Sequence, residues 1–222
     1  MNAISSNAGY HKKGESMKST NNEVFNHVNK LFCESPKHMN TLNISYSYEY
    51  ALQSADLNWY DILFAIENGY LHHQVATEYA IDELERREDC PQYVLDLAIL
   101  TPEEASYSHS VHPFIDEMAD RVAEKDKIKA KDKLMYIVLK WVFENRSKYD
   151  ESLTDETPEG SLTVAEFIYH DFGFPAKISH FANWRCSPMA GANLGSAEKN
   201  RERIYDSWKK FIDEQKVIWK KG

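Results

Sequence analysis

Apolar residues recur along most of the chain at every third or fourth position, the spacing that places them on one face of an α-helix. This helical period dominates over strand-like alternation, and no Asn-Gly turn joins two alternating apolar segments. The pattern therefore predicts an all-α protein, folded as an irregular bundle of about seven to nine helices.

Local end signals place several of these helices in the first half of the chain. Asn58 can cap a helix that ends at Gly69, because glycine readily takes the left-handed conformation past a helix end. The segment from Thr101 to Glu104 combines an N-cap, a first-turn proline and a capping-box glutamate, and is the clearest helix start. Further helices are predicted after Asn22, from about His72 to Arg87, and from Pro91.

The second half of the chain contains a helix with a strongly apolar face over residues 134–142, which should lie in the protein core. This helix is predicted to end near Arg146. Thr163 and Glu166 offer a second capping box, for a helix that reaches about Phe172. The remaining predictions are a polar internal loop over residues 149–160, a loop over residues 187–195 and a last helix from about Ser196.

The segment HDFGFPAKISHFANW, residues 170–184, predicts a corner between two helices. Gly173 can end the first helix, and Pro175 both forbids its continuation and suits the first turn of the next one. Four aromatic side chains are expected to hold this corner against the core: Phe172, Phe174, Phe181 and Trp184.

The length of 222 residues suits one domain, since single cores are usually built from about 100 to 200 residues. Residues 1–20 are predicted to be a flexible tail or an upstream extension, because the first sixteen are polar and aperiodic and precede Met17. Residues 21–222 are the predicted all-α domain. The absence of a long apolar segment indicates a cytoplasmic protein without membrane spans.

The formal charge of −9 is distributed in blocks along the chain. Residues 78–126 hold 14 acidic and 4 basic residues, a net of −10, whereas residues 127–149 carry a net of +5. A surface this acidic repels phosphate backbones and favours a basic protein partner over nucleic acid. Solvated helix faces are also commonly charged, so solubility alone is the simpler interpretation of the blocks.

Three histidine groupings invite a metal hypothesis. The neighbouring residues His72 and His73 point to different helix faces, so they cannot converge on one ion. Pro113 disfavours helix at His112, which weakens the pair that His112 forms with His109. The third grouping, His170 and Asp171 with His180, resembles the dyad of metal phosphohydrolases but lacks the further ligands of that class. No metal site and no cofactor is predicted.

Nucleophilic and phosphate-binding motifs are also missing, since the chain holds no GxSxG, GxGxxG or GxxxxGK. Cys33, Cys90 and Cys186 are widely spaced and lie in no CxxC motif, so we expect reduced thiols and no disulfide framework. The residue patterns therefore indicate none of these enzyme classes.

A family resemblance is carried by five short phrases in order. They are LNWYDILFAIENGYL from Leu57, ATEYAIDEL from Ala76, LKWVFENR from Leu139, SLTVAEFIYHDFGFPAKISHFANW from Ser161 and NRERIYDSWKKFI from Asn200. Over about residues 55–211 the chain resembles a bacterial domain-of-unknown-function family of small helical proteins, found among the immunity proteins of polymorphic toxin systems. The resemblance implies a cytosolic, non-enzymatic protein that binds a cognate toxin domain and blocks it.

An acidic inhibitor of this kind suits a toxin with a basic, phosphate-binding cleft, such as a nuclease. The expected toxin contacts are six carboxylates at the ends of adjacent predicted helices: Glu83, Glu85, Glu88, Asp89, Glu103 and Glu104. Two alternatives remain open at this point. One is a metal-dependent phosphohydrolase that uses His170 and Asp171, and the other is an adaptor that binds another host protein.

Overall fold

The structure is a computed structural model that describes residues 39–150, 160–184 and 197–220. Within these ranges the chain forms ten α-helices and no strands, so the all-α prediction is confirmed. The α-helices are α1 Tyr48–Ser54, α2 Trp59–Glu67, α3 Gln74–Arg86, α4 Gln92–Ala98, α5 Ser108–Asp120, α6 Glu124–Glu144, α7 Ser147–Asp150, α8 Ser161–Asp171, α9 Ser179–Ala182 and α10 Ala197–Trp219.

Two of these ten helices, α7 and α9, are single turns of four residues, and the other eight fall within the predicted number. Short 3-10 helices at Glu104–Ser106 and Ala176–Ile178 complete the described secondary structure. The predicted tail over residues 1–20, the helix after Asn22, most of the loop over residues 149–160 and the loop over residues 187–195 lie outside the described residues. No helix of the described ranges combines the length and apolar character needed to cross a membrane.

The start and end of α2 follow their local signals. The Asp61 N–H donates to Asn58 Oδ1 over 3.0 Å, and the Asn58 N–H donates to Asp61 Oδ2 over 2.9 Å, so the two residues form a complete capping box. Gly69 follows the helix with a φ of 72°, the left-handed conformation that favours glycine. The predicted cap at Asn58 and the stop at Gly69 are therefore confirmed.

Two predicted helix starts are wrong in position. Thr101 and Glu104 form their hydrogen bonds, but only a 3-10 turn follows, because Tyr107 is extended and α5 begins after it at Ser108. The helix predicted to start at Thr163 begins two residues earlier, at Ser161. Its first turn has a tertiary cap instead, since the Ser161 N–H donates to Oδ1 of Asp150 over 2.9 Å.

The expectation that Pro113 disfavours helix at His112 is also wrong. Helix α5 continues through both residues, and Pro113 lies inside it. Val111 and Ile115 on this helix are fully buried. Packing of that apolar face outweighs the hydrogen bond that a proline removes from the helix interior.

Helix α6 is the central element of the bundle. All residues from Lys133 to Leu139 are buried, so this part of the helix is enclosed on every side. Helix α6 packs against α2, α8 and α10. Helix α2 packs in turn against α3 and α5, and α3, α4 and α5 pack on one another.

The corner at residues 170–184 forms as predicted, with one exception among its aromatic residues. Phe172 and Phe181 are buried, and the Phe181 ring stacks on Trp208 with centroids 5.6 Å apart. Trp184 is partly buried. Phe174 is 57% exposed and therefore does not hold the corner against the core. Its own φ of 59° places it in the turn, where its ring contacts His170 at a centroid distance of 4.7 Å.

A buried ion pair connects four parts of the bundle. Lys133 Nζ lies 2.5 Å from Asp61 Oδ2 and donates to the Asp56 carbonyl oxygen over 2.8 Å. It also lies 5.8 Å from the Trp219 ring, and the Asp56 N–H donates to the Trp219 carbonyl over 2.8 Å. Burial raises the pKa of the Asp61 carboxyl, against the opposing effect of Lys133 and of the Asn58 N–H.

The substitution Lys133→Met should lower the free energy of unfolding by about 3–5 kcal/mol, because it leaves the buried Asp61 carboxylate without its cation. Combining it with Asp61→Asn should recover much of this loss, since both charges are then removed. Urea denaturation of Lys133→Met, of the double variant and of Lys129→Met, an exposed lysine control, measures the effect. A loss no larger than that of the control would show that the buried pair has no special role.

The substitution Gly173→Ala should lower the free energy of unfolding by about 1–2 kcal/mol, because residue 173 has a φ of 78°. Steric contact is not the cause, since the nearest atom to an added Cβ would be Lys131 Nζ at 3.7 Å. Gly173→Asn should cost less, because asparagine tolerates this conformation better. Equal losses for the two variants in thermal denaturation would argue against a conformational cause.

Candidate functional site

Helices α3 and α4 form an antiparallel hairpin at one edge of the bundle. Residues 87–91 connect them, and the Gln74 side chain at the start of α3 donates to the Pro102 carbonyl over 3.1 Å. The start of α3 therefore lies beside the segment that follows α4. The inner face of the hairpin is apolar, with Val75, Ala76, Tyr79 and Ala80 of α3 and Val94 and Leu97 of α4 buried.

The outer face of α4 combines apolar and polar side chains. Gln92, Leu95, Asp96 and Ile99 recur there at helical spacing, and the Gln92 amide donates to Asp96 Oδ1 over 2.8 Å. Leu95 is 40% exposed and Ile99, at the C-terminal end of the helix, is 77% exposed. These two residues are one turn apart, so α4 presents a small apolar ridge to solvent.

The outer side of α3 is acidic. Glu78, Asp82 and Glu85 recur one turn apart along this helix, and Asp82 accepts a hydrogen bond from the Tyr48 hydroxyl over 2.6 Å. The pKa of Glu78 is raised, first by its partial burial and then by the neighbouring carboxylates of Glu49 and Asp82. Arg86 pairs with Asp82 at 3.4 Å, whereas Glu78 and Glu85 form no ion pair with a described residue.

Five of the six predicted toxin contacts are exposed in the structure, and two of the six, Glu83 and Glu104, have partners within the protein. Glu83 is largely buried and forms ion pairs with Arg86 at 3.6 Å and Arg87 at 3.4 Å. The Glu104 carboxylate accepts hydrogen bonds from the Thr101 N–H and hydroxyl, which lower its pKa. The exposed carboxylates are therefore those of Glu104, which is bonded to Thr101, and of Glu85, Glu88, Asp89 and Glu103.

These six residues lie at both ends of the hairpin and do not form one compact cluster. Glu83, Glu85, Glu88 and Asp89 lie where α3 passes into α4, whereas Glu103 and Glu104 follow α4, near the start of α3. An α-helix rises 1.5 Å per residue, so the two groups are separated by about 14 Å along the hairpin. Acidic groups therefore flank the apolar ridge of α4 at both of its ends.

Sequence reasoning missed two parts of this surface. It did not include Glu78 and Asp82, although their spacing with Glu85 was visible within the helix predicted from His72. It also missed the exposed ridge of Leu95 and Ile99 on the helix predicted from Pro91. Which face of a short helix is buried depends on its neighbours, and no local signal gives this.

The histidine and aspartate of the proposed phosphohydrolase dyad lie beside an open cleft of about 430 Å³. The cleft is lined by Thr41, Thr163, Glu166, Phe167, His170 and Asp171. Both Asp171 carboxylate oxygens accept hydrogen bonds from Thr41, from its N–H over 2.9 Å and from its hydroxyl over 2.5 Å. Asp171 thus attaches the segment before α1 to the end of α8, which is a structural role.

The other histidine groupings are rearranged by the fold. His73 and His112, from two separate predicted groupings, approach with ring centroids 5.8 Å apart, and His112 Nδ1 lies 3.1 Å from Asp116 Oδ1. Partial burial and then the neighbouring imidazoles of His112 and His72 lower the pKa of His73. In the part of the chain that the structure describes, no three His, Cys, Asp or Glu side chains are arranged to hold a metal ion.

Among the cysteines, Cys90 is a free, partly buried thiol that lies 3.6 Å from the carbonyl oxygens of Glu83 and Arg87. This contact secures the turn between α3 and α4. Cys33 and Cys186 lie outside the described residues.

Comparison with known proteins gives a family but no relative of known activity. No curated protein and no solved structure matches the chain at a significant level. Residues 48–216 match the model of DUF2247, described as an uncharacterized protein conserved in bacteria. The match begins at the first residue of α1 and ends within α10, so it includes the hairpin, the central helix and the aromatic corner. The chain therefore belongs to the bacterial family DUF2247.

Proposed function

We propose that the protein is an immunity protein, which binds a cognate bacterial toxin domain and neutralises it through the acidic surface of the α3–α4 hairpin. The observation that carries this proposal is the set of exposed carboxylates Glu85, Glu88, Asp89 and Glu103, which form no ion pair with a described residue. A basic partner would neutralise them at little cost in competing intramolecular contacts.

The charge distribution supports a protein partner in preference to nucleic acid. The hairpin belongs to the block of residues 78–126, with its net charge of −10, and phosphate backbones are repelled by such a surface. A toxin with a basic, nucleic-acid-binding cleft carries the complementary potential. An inhibitor that covers this cleft would exclude the substrate, so inhibition requires no chemistry by the inhibitor itself.

The family resemblance to immunity proteins supplies the biological role and the cytoplasmic location that goes with it. A host-protein adaptor would use the same kind of surface, and its binding would not protect cells from a toxin. A phosphohydrolase would instead depend on His170. Bound metal in elemental analysis, together with a metal-dependent activity that His170→Ala abolishes, would favour the phosphohydrolase over the present proposal.

Simultaneous reversal of the four exposed carboxylates should abolish protection, because it replaces attraction of a basic partner by repulsion. The proposed function implies a toxin protein encoded beside this gene, and the C-terminal domain of that protein is co-expressed with each variant while cell survival is recorded. Association rates measured with the purified proteins should fall by about 10- to 1,000-fold, and wild-type association should slow as salt is added. The variant combines Glu85→Lys, Glu88→Lys, Asp89→Lys and Glu103→Lys.

A second variant of equal charge controls for the change in net charge. It reverses four exposed acidic residues of α10: Glu198→Lys, Glu202→Lys, Asp206→Lys and Glu214→Lys. Protection should survive in this control. Equal loss of protection in both variants would show that net charge alone causes the effect. Full protection by the hairpin variant would exclude the hairpin as the contact surface.

A further inference from the structure

We infer that Leu95 and Ile99 form the apolar centre of the toxin contact, and that the partner presents an apolar patch flanked by basic side chains. This inference rests on the proposed function and specifies the partner surface that the hairpin would recognise. Its starting point is the outer face of α4, where two apolar residues one turn apart are exposed among polar and acidic ones.

Helix α4 packs on its neighbours through residues other than Leu95 and Ile99. Val94 and Leu97 bury the inner face of the helix completely against its neighbours. Tyr93 is engaged separately, with its ring 5.3 Å from the Arg121 guanidinium of α5. Among the described residues, Leu95 and Ile99 therefore expose apolar surface on the side of α4 that faces away from Val94 and Leu97.

The surroundings of the ridge have the arrangement of a protein interface. Protein interfaces usually have a well-packed apolar centre surrounded by a polar, solvent-accessible rim. Glu88 and Asp89 precede α4 and Glu103 follows it, so carboxylates flank the ridge in the chain at both ends. A helix of seven residues is about 10 Å long. A complementary partner would therefore carry basic side chains separated by about that distance, on either side of an apolar patch one helical turn long.

The charge of the rim selects the partner class. A second copy of this chain would bring its own acidic rim against the first, and like charges placed together oppose association. A lipid surface with anionic headgroups would be repelled for the same reason. A basic protein surface with an apolar patch is the partner that complements both the ridge and its acidic rim.

The ridge and the rim should affect different rate constants. Steering by the carboxylates acts on association, whereas apolar contacts at the centre act mainly on dissociation. Leu95→Ala and Ile99→Ala should each accelerate dissociation of the neighbouring gene's toxin domain about tenfold, corresponding to the transfer free energy of the removed methyl groups. Association rates should stay within about twofold of wild type.

The test measures both rate constants by surface plasmon resonance, with folding of each variant checked by circular dichroism. Ile128→Ala and Val217→Ala are matched controls, because these residues are 72% and 80% exposed on other helices. A polar variant, Leu95→Gln, repeats the test with a side chain of similar length. Faster dissociation in the ridge variants, with unchanged association and unchanged controls, supports the inference.

Three results would overturn it, and they separate it from the proposed function. If charge reversal stops association while the ridge variants dissociate like wild type, the immunity proposal stands and the apolar centre does not. If the wild-type protein binds no toxin domain, both fail. If the free protein is a dimer that Leu95→Ala and Ile99→Ala convert to monomers, the ridge belongs to a second copy of the chain.

Discussion

The contact between Lys133 and Asp61 is the constraint on which the arrangement of the bundle depends. It places a charge from the middle of α6 at the start of α2, and the same ammonium group reaches the Asp56 carbonyl. Because Asp56 is hydrogen bonded to Trp219 at the end of α10, one buried cation fixes three helices relative to each other. Removing either charge alone leaves the other unpaired in a low-dielectric interior, so each of the two residues depends on the presence of the other.

Carboxylates elsewhere in the protein divide into two groups with different consequences for function. Asp150 caps α8 through the Ser161 N–H, and Asp171 holds Thr41, so both oxygen pairs are used for tertiary structure. In the hairpin, by contrast, Glu85 and Glu88 are exposed to solvent. Acidic residues that look alike in the sequence therefore become structural where they meet a donor and remain open to a partner where they do not.

The hairpin links the rigid core to the proposed binding surface. Its inner face belongs to the apolar core, while its outer face presents the ridge of Leu95 and Ile99 between acidic ends. A surface supported by packed helices changes little on binding, so little ordering entropy opposes association. This rigidity agrees with an inhibitor that covers a toxin cleft as a preformed shape.

Features with local causes could be predicted from the sequence. The all-α class, the cap at Asn58 and the turn at Gly173 follow from periodicity, a side-chain acceptor and a left-handed backbone position. Only the tertiary structure decided that Lys133 meets Asp61, 72 positions away, and that Leu95 faces solvent. Such outcomes depend on which surfaces pack together, and neighbouring residues in the chain carry no signal for them.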